Sequence, residues 1–377
     1  MRIGIVCYPT FGGSGVVATE LGMALAKKGY EIHFITYKPP VRLDLISSGI
    51  HFHQVQIQEY SLFQYQPYEL ALSSRMVEVV EKYKLEVLHV HYAIPHAYAA
   101  YMAKQMLAQK GIEVRVVTTL HGTDITLVGS HPNYKTAVEF SINNSDVVTS
   151  VSNSLREDTY RLFDIKREIE VVYNFIEIEQ YENHPLGVHD CQRGNIANND
   201  EFILTHISNY RPVKRASDVV IVFAKVLEHK PAKLVLVGEG PEMVDVKRKA
   251  KELGVFDKIV FLGNSTEVAT ILCYSDVFLL PSQSESFGLA ALEAMAAKTP
   301  VISSNTGGLP EVNIHGVTGF LSNVGDVDDM ALNTLKLIEN KETLEKYKQN
   351  ALDRASTFSI DAVLPKYEAI YKGVLVS

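Results

Sequence analysis

The chain has 377 residues, a formal net charge of −8, 46% hydrophobic and 21% charged residues. That length gives two or three domains with cores of their own, and the negative balance argues against a nucleic-acid binder. Three scattered cysteines, Cys7, Cys191 and Cys273, exclude a disulfide framework or a structural zinc site. No apolar stretch approaches membrane-spanning length and no secretory leader is seen, so a cytoplasmic enzyme is expected, without membrane association.

In chain order the first half predicts strands over 2–7, 31–37, 51–57, 87–91, 115–120 and 147–151. Helices are predicted between them over 16–28, 68–82, 96–109, 135–143 and 154–163. Strands alternating with helices of this length imply right-handed crossovers and a mainly parallel sheet. Residues 183–200 break the pattern with Asn, Gly, Pro, His and Asp and are read as a loop. Alternation restarts with strands over 202–207, 233–237, 259–262, 277–280 and 300–303. Helices over 217–227, 243–253, 267–273 and 289–297, and more beyond Asp326, accompany them. The expected architecture is α/β, two Rossmann-like doubly wound domains facing across a cleft. Ligands of such sheets bind beyond the carboxyl ends of the strands.

The loops at those ends carry the chemistry. Residues 285–293 read Glu-Ser-Phe-Gly-Leu-Ala-Ala-Leu-Glu, where a buried strand gives way to a helix. A helix N-terminus offers free N–H groups and a positive dipole end to an anion such as a diphosphate. Glu285 precedes that helix and Glu293 sits about two turns along it, so the two acids could bracket a diphosphate, each holding a hydroxyl-bearing group. The same pattern also suits an acid near a helix start and an exposed helical glutamate. The first strand runs into Tyr8-Pro-Thr-Phe-Gly-Gly-Ser-Gly15, a loop that fits close anion contact or a plain tight turn. It has neither the dinucleotide fingerprint nor the P-loop spacing. His89, His91, His96, His121 and Asp124 fall at neighbouring strand ends. Without a dense ligand motif they read as a polar cluster around a substrate rather than a metal site, with His121 nearest the reacting centre. Arg211, Lys214 and Arg215 follow a strand end and suit a phosphate, or a solvated loop. Residues 238–241, Gly-Glu-Gly-Pro, could be a plain turn.

Together these features resemble the retaining nucleotide-sugar glycosyltransferases of the GT-B fold, family four, over nearly the whole chain. The carriers are the Glu285/Glu293 pair, the 238–241 turn, the Gly307-Gly308-Leu309-Pro310-Glu311 loop and the N-terminal glycine loop. Narrower motifs are Ala18-Thr-Glu-Leu-Gly22, His91-Tyr-Ala-Ile-Pro-His96, Leu120-His-Gly-Thr-Asp-Ile-Thr126 and Tyr173-Asn-Phe-Ile176. They resemble the branch that moves N-acetylglucosamine from UDP-N-acetylglucosamine to the hydroxyl of L-malate, first step toward bacillithiol. The resemblance implies a nucleotide-sugar domain over 171–357 and an acceptor domain over 1–170, on which a last helix at 358–377 packs back.

The same resemblance implies the roles of single residues. Glu285 would hold sugar hydroxyls, and the amides of Ser286, Phe287, Gly288 and Leu289 would meet the diphosphate. Glu293 would bind ribose, and Leu262, Gly263 and Asn264 would contact uracil. Gly13, Asn209, Arg215 and Gly238 would complete the donor site, Asn209 standing where the commoner pattern has arginine. Arg211 with Lys214 or Arg215 would neutralise the leaving diphosphate, and His121 would line the donor sugar. Ser14, Tyr92, Thr119 and Asn153 would line the acceptor pocket. The family reaction proceeds by front-face attack with no metal or other cofactor; a different acceptor, an epimerase or a phosphorylase on the same fold are the alternatives. A homodimer is admitted, since the sequence fixes no oligomeric state.

Overall fold

The computed structural model describes residues 1–10, 12–57, 65–182 and 193–376. Phe11 of the glycine loop and residues 183–192 of the expected central loop, Cys191 among them, lie outside the described residues. The chain divides into two compact units, 1–174 with 360–377, and 175–359.

The first unit is built on strands β1 (Arg2–Val6), β2 (Glu31–Thr36), β3 (Ile50–Gln54), β4 (Val87–His91), β5 (Arg115–Leu120), β6 (Val147–Ser150) and β7 (Ile169–Val171). They form one parallel sheet in the order β3-β2-β1-β4-β5-β6-β7. Helices α1 (Gly13–Lys27), α2 (Tyr68–Tyr83), α3 (Tyr98–Ala108), α4 (Pro132–Asn143) and α5 (Asn153–Leu162) make the crossovers. β4 is buried at every position, as a strand covered on both faces must be. Leu72, Met76, Val80, Ala99, Ala103 and Leu107 of α2 and α3 pack with Leu88 and Val90 into one core.

The second unit opens with a single helical turn, α6 (Glu179–Glu182), and repeats the scheme with β8 (Phe202–Ile207), β9 (Ala232–Val237), β10 (Ile259–Gly263), β11 (Val277–Leu280), β12 (Val301–Ser304) and β13 (Gly319–Ser322). The parallel order is β10-β9-β8-β11-β12-β13. Its helices are α7 (Ala216–Leu227), α8 (Met243–Glu252), α9 (Val268–Cys273), α10 (Leu289–Ala296), α11 (Leu309–Val312), α12 (Val327–Leu337) and α13 (Lys341–Ser356). Asp326 and Asn340 cap α12 and α13 by accepting from Asp329 and Thr343 N–H groups.

The last helix, α14 (Ile360–Val376), belongs to the first unit. Its Tyr371 hydroxyl lies 2.7 Å from His89 Nδ1, and its Glu368 accepts from the Tyr30 hydroxyl at 2.9 Å.

In each sheet the order reverses beside the first strand: between β1 and β4 in one unit, between β8 and β11 in the other. These switch points open crevices at the carboxyl ends of the strands. The loops after β1, β4, β8 and β11 are those that carry the sequence motifs. The sequence reading did not foresee β7 or β13, of three and four residues, each too short for a period to show. The helix expected from His96 begins at Tyr98, after a π-type turn over Ala93–Ala97.

Candidate active site

In the second unit the loop after β11 is tied to the turn after β8 by the Gln283 N–H, which donates to the Val213 carbonyl at 2.8 Å. That bond sets Lys214 opposite Glu285, with Nζ 2.5 Å from Oε1. The buried Ser282 hydroxyl donates to the same oxygen at 2.9 Å. Lys214 and Glu285 keep 22% and 13% of their side-chain surface exposed, so a ligand can reach both. Gly307 backs this loop with φ +55°, where a Cβ would sit 1.9 Å from the Glu285 carbonyl oxygen. Only glycine fits there, and the Gly308 N–H then donates to that carbonyl at 2.9 Å.

Helix α10 starts next, with Gly288 as its N-cap. It has no side-chain cap and no acid in its first turn, so no side chain of that turn competes with an anion for the N-terminal amides of Ser286, Phe287, Gly288 and Leu289. The Phe287 ring itself is core, edge-on to Phe358 at 5.7 Å. Glu293 is half-buried on the second turn of α10.

The three cations divide by environment. Lys214 is paired with Glu285, Arg215 Nε holds Asp218 at 2.7 Å, and Arg211 is exposed with no ion pair among the described residues. Arg211 is therefore the open cation of the loop. Beside it, Asn209 is exposed. Gly238, at φ +109°, packs so closely that a Cβ would meet the Ser208 carbonyl oxygen at 1.9 Å. This glycine is demanded by the contact between two loops. Its N–H donates to the Gly263 carbonyl at 2.6 Å, and Asn264 Nδ2 donates to Glu239 at 3.2 Å. Leu262 and Asn264 are exposed at that strand end.

In the first unit, α1 opens at Gly13 without a side-chain cap or an acid in its first turn. Ser14 Oγ is 2.8 Å from the Tyr92 hydroxyl. Tyr92 has φ +87°, a region bulky residues avoid at a cost of about 1–3 kcal/mol; its N–H donates to the Thr119 carbonyl at 2.9 Å. Its ring lies 5.2 Å from both Tyr8 and His121.

His121 Nε2 is 2.8 Å from His91 Nδ1, so the two imidazoles share one proton and the His121 Nδ1 position faces outward from that pair. Burial pushes His121 down to about 3, with the neighbouring His96 adding to it; the ring is a neutral hydrogen-bonding group. Asp124 cross-links the loops: its carboxylate accepts from the Ala93, Gly122 and His121 N–H groups at 2.8, 2.9 and 3.2 Å. His89 uses both nitrogens inside the fold, toward Tyr371 and Thr119. Both His89 nitrogens and the Asp124 oxygens are thus engaged within the fold, and His91 holds His121 in place.

Thr119, expected to line the acceptor pocket, has a buried hydroxyl that bonds with His89 Nε2 and Thr149 Oγ1, both at 2.7 Å. The covering helix α14 draws it inward, Tyr367 bonding to the same two hydroxyls. Asn153 opens α5 half-buried, its Nδ2 donating to the Tyr173 hydroxyl at 2.8 Å. Three residues escaped notice as site candidates: Ser282, Tyr8 and Tyr68. The Tyr68 hydroxyl, His91 Nε2 and His96 Nε2 are buried polar atoms without a hydrogen-bond partner among the described residues, and the Tyr8 and Tyr68 rings lie 4.6 and 6.4 Å from that of His96. Buried groups left so are costly unless a ligand or water meets them. Ser282 was signalled by its Pro-Ser turn; Tyr68 had no signal, being far from the motifs in sequence.

Two sequence families divide the chain: "Glycosyltransferase Family 4" matches residues 11–180 and "Glycosyl transferases group 1" residues 191–354. The chain belongs to glycosyltransferase family four, and its fold is GT-B. It is 46% identical over 376 residues to the N-acetyl-alpha-D-glucosaminyl L-malate synthase of Bacillus anthracis, covering 100% of this chain and 97% of that one. The D-inositol 3-phosphate glycosyltransferase of Mycolicibacterium smegmatis is 33% identical over 45% of this chain and 40% of its own. Anabaena HepE in complex with UDP-glucose superposes with a TM-score of 0.82 at 19% identity, covering 99% of this chain and 100% of that one. No described helix is long and apolar enough to cross a membrane.

Proposed function

We propose that this glycosyltransferase moves N-acetylglucosamine from UDP-N-acetylglucosamine to the hydroxyl of L-malate with retention of the α configuration. The full-length identity to the Bacillus anthracis enzyme carries the choice of substrates. In the second unit, Arg211, Lys214 and the α10 amides take the diphosphate, Glu293 takes the ribose and the loop 262–264 takes the uracil. Glu285, with its charge fixed by Lys214 and Ser282, holds the sugar hydroxyls. In the first unit, the α1 amides and Ser14 take a malate carboxylate, while Tyr92 and Asn153 add donors. His121, neutral and turned by His91, hydrogen-bonds to a sugar hydroxyl.

The bond from the anomeric carbon to the β-phosphate oxygen breaks as the malate oxygen attacks from the same face. The malate proton passes to the leaving phosphate oxygen. Negative charge grows on the diphosphate, so preorganised cations and amides there stabilise the transition state most. They take the place of a metal ion in this reading. The test is incubation with UDP-N-acetylglucosamine and a panel of hydroxy acids and inositol phosphates, the latter because of the partial match to the mycobacterial relative. Mass identification of N-acetylglucosaminyl malate supports the reading; product formed only with an inositol phosphate overturns the acceptor.

A further inference from the structure

At the amino ends of β2 and β3, away from the loops just described, Glu31, His33 and His51 bring one ligand atom each within 4.8 Å of one another. Strand alternation puts Glu31 and His33 on one face of β2, and parallel register sets His51 beside His33. Glu31 Oε1 lies 3.3 Å from His33 Nε2 and 3.5 Å from His51 Nε2. Both distances exceed the usual N–H···O separation of about 2.9–3.0 Å. The first matches the edge between two ligands of a tetrahedral zinc ion, about 3.3–3.4 Å for bonds of about 2.0–2.1 Å, and the second is slightly longer.

The surroundings hold these atoms in place. Arg2 Nε donates to the other Glu31 oxygen at 3.2 Å, turning Oε1 toward the imidazoles. His33 Nδ1 lies 2.8 Å from His53 Nε2, so a proton on Nδ1 leaves the Nε2 lone pair facing Glu31. This is how an outer hydrogen bond orients a metal-binding histidine. The rings of His33, His51 and His53 stack, with the Tyr83 ring against them.

We propose that Glu31, His33 and His51 form a binding site for a divalent transition metal of the zinc class, with His53 orienting His33 and water completing the coordination. Two nitrogens and one carboxylate oxygen favour zinc, nickel or cobalt over magnesium or calcium. The ion pins β3, the edge strand of the sheet, to β2. It is remote from the transfer chemistry, which takes place at the carboxyl ends of the strands.

The test uses the untagged full chain, stripped with EDTA and titrated with Zn²⁺ by calorimetry and with Co²⁺ by visible absorption. One equivalent should bind, Co²⁺ should give the intense bands of a four-coordinate site, and Zn²⁺ should raise the melting temperature. His51→Ala and Glu31→Gln change half-exposed positions, so folding should survive. Each should weaken binding by more than the roughly 10–100-fold that an outer-shell partner is worth and abolish the thermal shift. EDTA should lower the melting temperature while transferase activity persists. Absence of stoichiometric uptake, or uptake unchanged in both variants, overturns the proposal; loss of activity on stripping overturns the separation from catalysis.

Discussion

Replacing Glu285 with Gln probes the proposed donor site. The change keeps the shape of the side chain but removes the charge that Lys214 meets at 2.5 Å and Ser282 at 2.9 Å. Lys214 retains 22% exposure, so its ammonium can still turn toward water, and the folding cost should stay at about 1–2 kcal/mol, below the 3–5 kcal/mol of a wholly buried pair. If Glu285 grips a sugar hydroxyl as the bond breaks, a charged hydrogen bond of roughly 1.5–3 kcal/mol is lost from the transition state. At about 1.4 kcal/mol per decade this lowers kcat one to two decades. The assay is initial-rate UDP release with both substrates varied, alongside circular dichroism and melting of the same preparation. A second variant, Lys214→Gln, and the double variant complete a thermodynamic cycle. If Glu285 and Lys214 work as one unit, the double variant should lose little more than the worse single one. A folded Glu285→Gln protein with kcat within twofold of the parent refutes the assignment.

Glu293→Ala should weaken UDP binding about tenfold, one hydrogen bond's worth, by calorimetry; unchanged affinity removes it from the ribose. Tyr92→Phe, which takes the hydroxyl from Ser14, should raise the KM for malate more than that for the sugar nucleotide, and paired saturation curves decide this. Thr119→Val should instead lower stability by about 1–3 kcal/mol, because His89 and Thr149 lose their shared partner; the melting temperature reports it and the malate KM should stay unchanged. Stability should also fall with acid. Burial lowers His89 to about 3 and His96 and His206 to about 4, so the unfolded chain binds more protons below its own pKa of about 6.5. Stability is then complete above pH 6.5 and is lost as the pH falls toward 4, each histidine costing about 1.4 kcal/mol at pH 5.5. Denaturant melts at pH 7.5 and 5.5 should differ, and His89→Gln should shrink the difference.

The alternation of strand and helix made both sheets legible, because buried parallel strands must be apolar runs and their crossovers need helical length. Glu285 stood out as an acid before a glycine-opened helix at a strand end, a pattern that equally suits an ordinary acid near a helix start. Its partner did not stand out. Lys214 lies 71 residues away in sequence, and only the bond between Gln283 and Val213 fixes which of three nearby cations meets it. The surroundings of Thr119 were not legible for a related reason. Alternation reports which residues share a face of β5 but not what covers that face, and the cover comes from the last helix, with Tyr371 282 residues from His89. The short β7 and β13 hold too few residues for any period to register.

The return of α14 to the first unit sets an order of events during synthesis. The unit built on residues 1–174 lacks helix α14 until residues 360–376 have been made, so His89, Thr119 and Thr149 emerge long before Tyr367 and Tyr371 can meet them. Residues 175–359 are contiguous. Completion of the first unit therefore follows the emergence of the second, against the usual sequence in which the domain made first folds first. A chain cut before residue 360 would keep every residue of the second unit and leave the first with an uncovered polar seam.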